Sequence, residues 1–105
     1  TKLAKNWQTE MQEKFGDHPA VGEIRGRGFW QAIDFTSNKN THAKPESQMV
    51  IDIAERSRDL GVIVGPIGTA IEIAPSLTAN PEQLSKCVRV LGQAISEIAK
   101  NYNLE

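Results

Sequence analysis

At 105 residues the chain has room for one domain around one hydrophobic core. Its 12 Lys+Arg against 13 Asp+Glu leave a net charge of -1, so no global field favours nucleic acid or an anionic membrane surface, and either partner would need a local patch. The lone Cys87 excludes an internal disulfide, His18 and His42 beside it give no zinc-ligand spacing, and no apolar run approaches the ~20 residues of a membrane-spanning helix.

In chain order, the first predicted element is a helix over 2–15. Leu3, Trp7, Met11 and Phe15 recur every four residues along one stripe, and Gly16 stands where a left-handed cap would end it. The turn Gly16-Asp17-His18-Pro19 leads to two predicted strands, Val21 to Arg25 and Phe29 to Phe35, joined by Gly26-Arg27-Gly28. Alternation in the second strand puts Phe29, Gln31, Ile33 and Phe35 on one face and Trp30, Ala32 and Asp34 on the other. The polar run Ser37 to Lys44 predicts a surface loop and the most mobile part of the chain.

Met49, Val50, Ile53, Ala54, Ser57 and Leu60 describe a second amphipathic helix, bounded by Pro45 and Gly61. Two short strands are expected next, Val62-Ile63-Val64 and Ala70 to Ala74, with Gly65-Pro66 and Gly68 between them. In the latter, Ile71 and Ile73 face the helices while Ala70, Glu72 and Ala74 face away. Asn80-Pro81-Glu82-Gln83 reads as a capping box with proline at the first helical position, opening a last helix whose stripe is Leu84, Cys87, Val88, Leu91, Ile95 and Ile98. Cys87 is thereby a small core residue.

The order α-β-β-α-β-β-α predicts an α/β fold in the form of a two-layer α+β sandwich: a small, mainly antiparallel sheet with the helices packed on one face. Small residues beside Asp34 and Glu72 suggest that the other face is covered in a larger molecule.

Together, VGEIRGRGFWQAIDF (21–35) and GVIVGPIGTAIEIAPSLTANPEQL (61–84) resemble the C-terminal small domain of class III aminotransferases, pyridoxal-phosphate enzymes of fold type I. His18-Pro19, Val21-Gly22, Arg25-Gly26-Arg27-Gly28, Gly61-Val62-Ile63-Val64 and Ala74-Pro75-Ser76-Leu77 follow the family's order, and the likeness spans nearly the whole chain. The resemblance implies that residues 1–105 are one domain of a larger enzyme, a homodimer as the family generally is, and the lone cysteine points to a reducing, cytoplasmic setting. That enzyme would move an amino group between an amine or amino acid and a 2-oxo acid. The Schiff-base lysine and the acidic partner of the pyridinium nitrogen lie in the family's large domain, so the resemblance implies no catalytic, cofactor-binding or metal residue here. A chain inactive by itself, with that large domain as partner, is the expectation.

The resemblance also implies where a substrate carboxylate would be bound. In the acetylornithine and ornithine enzymes an arginine stands two residues before the Ala-Pro motif, a position held here by Glu72. In many omega-amino-acid and amine:pyruvate enzymes an arginine follows the Gly-Val-Ile-Val strand, a position held here by Gly65. Both arginines are absent, which points to the amine or omega-amino-acid side of the family. Glu72 would then face a basic residue of the large domain or a substrate ammonium. Arg25 and Arg27 complete the candidate cleft or interdomain residues, the first as an ion-pair residue and the second as an exposed turn residue. Two other readings stand beside this one. One is a freestanding small-molecule or protein-binding module. The other is an RNA surface built on Arg25, Arg27, Phe29 and Trp30, against which the burial of Phe29 counts.

Overall fold

The computed structural model describes residues 2–74 and 80–105. Helix α1 (Lys2–Phe15) follows the four-residue stripe and buries Ala4, Trp7, Met11 and Phe15. Gly16 does not make a left-handed cap, since the glycines at positive φ are Gly26, Gly28, Gly61 and Gly68. Instead its N–H donates to the Gln12 carbonyl at 2.9 Å, extending the helical ladder, and a Cβ there would lie 2.5 Å from that oxygen.

Strands β1 (Val21–Arg27) and β2 (Trp30–Phe35) pair antiparallel, with Arg27 opposite Trp30. The turn is therefore Gly28-Phe29, later than predicted, and Gly26 belongs to the strand. Phe29 leaves the ladder but packs its ring 6.2 Å from that of Trp7. The polar stretch after β2 is a loop closed on itself rather than a loose one. Asn38 and Ala43 form an isolated bridge, and the buried Thr36 hydroxyl donates to the Ala43 carbonyl at 2.6 Å.

Helix α2 (Ser47–Asp59) buries Met49, Val50, Ile53, Ala54 and Ser57. It ends on Gly61 at φ 102, with Gly61 N–H on the Arg58 carbonyl and Val62 N–H on the Ser57 carbonyl, the paired bonds of a Schellman cap. The strand expected at Val62-Ile63-Val64 is displaced: β3 is Gly65–Ile67. A two-residue turn, Gly68-Thr69, pairs Ile67 with Ala70, so the ladder grows backward from the turn and Val62 to Val64 become the connection to α2. Strand β4 (Ala70–Ile73) matches its prediction to one residue. Pro75, Ser76 and Leu77 of the family-like motif lie outside the described residues.

Helix α3 (Pro81–Lys100) opens on the predicted capping box, Gln83 N–H donating to Asn80 Oδ1 at 2.9 Å and Asn80 N–H to Gln83 Oε1 at 3.0 Å. The sheet order is β1-β2-β4-β3, antiparallel throughout. Helix α3 packs against α1 and α2 on one face of the sheet. Between the layers Trp7, Met11, Ile33, Ile53, Ile71, Leu91 and Ile95 form the core. The two-layer α/β arrangement is the one that the residue pattern predicts.

Candidate functional site

The face of the sheet turned away from the helices has no covering element among the described residues. Register determines what meets there. Arg25 on β1 stands opposite Ala32 on β2, Ala32 opposite Glu72 on β4, and Glu72 opposite Gly65 on the edge strand β3. Three of the four residues singled out in the sequence thus share one cross-strand row. The fourth, Arg27, is one step along the same face, opposite Trp30, whose side chain is 45% exposed. The neighbouring row is Glu23, Asp34, Ala70 and Ile67.

Charges on this face are unequally matched. Arg25 Nη1 lies 3.3 Å from Asp34 Oδ2, and the Thr69 hydroxyl donates to Asp34 Oδ1 at 2.6 Å, so both oxygens of Asp34 are engaged. The pair is half exposed, worth little to stability, and serves to hold the Arg25 side chain across β2. The Glu72 carboxylate, half-buried on the central strand, has no hydrogen-bond or ion-pair partner among the described residues. Its row neighbours cannot supply one: Ala32 is a methyl group 1% exposed, and a Cβ built on Gly65 would meet nothing within 4 Å.

One support of this face went unread in the sequence. Gln31 points to the helix side and is 2% exposed, yet its amide donates to the Gly28 carbonyl at 2.9 Å and accepts from Gln8 Nε2 at 2.9 Å. It fastens the β1–β2 turn to α1. Alternation gave its direction, but its partner is 23 positions away and carries no local signal.

Other groups offer less chemistry. Cys87 is buried in α3, where loss of solvent pushes its thiol up to about 11 and makes it a poor nucleophile. The cavity at the end of α3, about 490 Å³ and lined by His18, Ser96, Glu97, Lys100 and Glu105, mixes both signs of charge. Burial and then the charge of Lys39 lower the His18 pKa, and its Nδ1 accepts the Ala20 N–H at 3.1 Å. No group of three or more His, Cys, Asp or Glu side chains suited to a metal ion occurs among the described residues, and no helix there is long and apolar enough to cross a membrane. The lysines sit in α1 (Lys2, Lys5, Lys14), in α3 (Lys86, Lys100) and in the loop after β2 (Lys39, Lys44). None is on a strand.

The family model "Aminotransferase class-III" matches residues 1–95. Gamma aminobutyrate transaminase 1, mitochondrial, of Solanum lycopersicum is 34% identical over 93 residues, 87% of this chain and 18% of that protein. Vanillin aminotransferase of Capsicum annuum is 27% identical over 101 residues, 94% of this chain and 22% of the relative. Among solved structures, the omega transaminase of Pseudomonas jessenii in complex with PMP superposes with a TM-score of 0.87 at 25% identity, over 94% of this chain and 22% of that one. The chain therefore spans about a fifth of the length of the proteins it matches.

Proposed function

The chain belongs to the class-III aminotransferase family, and we propose that it is the C-terminal small domain of a pyridoxal-phosphate-dependent enzyme whose substrate cleft its uncovered sheet face helps to line. The parent enzyme passes an amino group from an amine or amino acid to a 2-oxo acid. Pyridoxal phosphate, when bound by the large domain of the parent, supplies the electron sink for that exchange. The residues of this chain supply shape and charge at the cleft. Arg25 and Arg27 meet the large domain at the β1–β2 turn, and neither Glu72 nor Gly65 offers a cation to a substrate carboxylate. Amine-type donors follow from that arrangement.

The observation that carries this reading is the row Arg25, Ala32, Glu72, Gly65, set on a sheet face that keeps a large aromatic, Trp30, partly in solvent. A face of that kind in a chain a fifth of its relatives' length is suited to meeting another part of the same protein. The enzyme is expected to work as a homodimer in the cytoplasm, where Cys87 stays a free thiol. The deciding experiment supplies pyridoxal phosphate to the full-length enzyme and to the 105-residue chain separately, traps imines with borohydride and maps them. The full-length enzyme should transfer amino groups and be trapped at a lysine upstream of this chain, while the chain alone does neither. A specific imine at one lysine within residues 1–105, or a full-length enzyme that transfers nothing, would overturn the proposal.

A further inference from the structure

Glu72 is the one carboxylate on the central strands of the uncovered face left without a partner among the described residues, because Asp34 is occupied by Arg25 and Thr69. Among the described residues its near neighbours on this face are small: Ala32 and Gly65 flank it across the sheet, and Ala70 lies two residues back on its own strand. Taller side chains stand at the diagonal positions, where Asp34, two residues after Ala32 on β2, is held by Arg25 and Thr69. Trp30, two residues before Ala32 on β2, and Ile67, paired with Ala70 on β3, are both exposed large apolar groups. Diagonal neighbours across a sheet lie ~7–8 Å apart, within reach of an indole ring. A free carboxylate between small residues, bordered by an exposed aromatic ring and an exposed aliphatic one, has the composition of a site for an alkylammonium. The carboxylate pairs with the cation, the ring face attracts it, and the apolar border takes the methylene chain.

We infer that Glu72, bordered by Trp30 and Ile67, binds the distal ammonium of an α,ω-diamine substrate and makes the parent enzyme select diamines over simple amines and amino acids. This rests on the aminotransferase reading above and adds the substrate class. The same chemistry could be met by a lysine or arginine of the large domain, and the two sources differ in what a substitution does. The test measures kcat/KM in the full-length holoenzyme for 1,4-diaminobutane, 1-aminobutane and 4-aminobutanoate against one 2-oxo acid, in wild type and in Glu72→Gln. The change keeps the shape of the side chain and removes only its charge.

Loss of a charge-assisted hydrogen bond should cost the diamine about 10- to 100-fold in kcat/KM. The monoamine should stay within about twofold, and 4-aminobutanoate, freed of a like charge, should improve. Equal losses for diamine and monoamine would mean that Glu72 pairs with the large domain, and no loss for either would mean that it lies outside the cleft. Both results overturn the inference while leaving the aminotransferase reading standing. A wild-type holoenzyme that accepts none of the three donors also overturns the inference, and the imine-trapping experiment then decides the aminotransferase reading.

Discussion

Gly26 and Gly65 lie on the same sheet and differ in what a methyl group would meet. A Cβ on Gly26 would fall 2.1 Å from the Trp30 carbonyl oxygen and 2.7 Å from Gln31 Cα, both backbone atoms that cannot swing aside. Gly26→Ala should therefore destabilise the chain by about 3 kcal/mol, whereas Gly65→Ala, with open space around it, should stay within about 0.5 kcal/mol; urea denaturation of the two variants checks the contrast. Cys87 gives a prediction in pH. Burial raises its pKa to about 11, above its value of 9.0 in the unfolded chain, so the folded state holds the thiol proton more tightly. The associated stability is complete below pH 9.0 and is lost as pH rises towards about 11. Urea midpoints of wild type and Cys87→Ala should converge over that window, and a constant difference would refute the assignment. The place of Cys87 in the core was legible because its helical stripe is local information. The engagement of Asp34 by Arg25 and Thr69 was not, because those partners come from two other segments brought together only by the sheet.

Helix ends were the most legible elements where capping chemistry is written in adjacent residues. The Asn80–Gln83 box has both of its hydrogen bonds in place, and Pro81 at the first helical position needs no donor partner. Asn80→Ala should cost about 1 kcal/mol and lower the thermal midpoint by several degrees, as read by circular dichroism. A loss well below that would mean that α3 is held by its buried stripe alone. Strand ends were less legible, and β3 shows why. Val62, Ile63 and Val64 have the β-branched side chains of a strand, but Ile63 is 83% exposed and none of the three is in the ladder. Gly65 and Pro66 have poor strand propensity, yet they are paired because the Gly68-Thr69 turn sets the register. In this order Ile67 pairs narrowly with Ala70, so the nitrogen of Pro66 faces the open edge, where a missing donor costs nothing and discourages a further strand. Propensity gave way to tertiary pairing. At Gly16 the reverse holds: a glycine that looks like a left-handed cap serves close backbone approach to Gln12 instead.

The layer arrangement could be derived from the alternation of helical and strand periods, since three amphipathic stripes and four short strands have few ways to share a core. The strand order could not, and the site depends on it. Placing β4 beside β2 instead of β3 brings Glu72 next to Ala32 and sets Arg25 and Gly65 at opposite ends of one row. Whether that row is covered in the parent enzyme can be read from the two tryptophans. Trp7 is 1% exposed in the core and Trp30 is 45% exposed on the open face, so acrylamide should quench one emitter of the 105-residue chain and spare the other. Trp30→Phe should leave only the protected emission. The Trp30 signal, taken as the difference between wild type and Trp30→Phe, should be several-fold less quenchable in the full-length enzyme under the proposed reading, in which a large domain closes over the sheet. Equal quenching in both proteins would mean that the face stays open to solvent, and a cleft wall built on Arg25, Glu72 and Gly65 would then have to be abandoned even if the parent proves to be an aminotransferase.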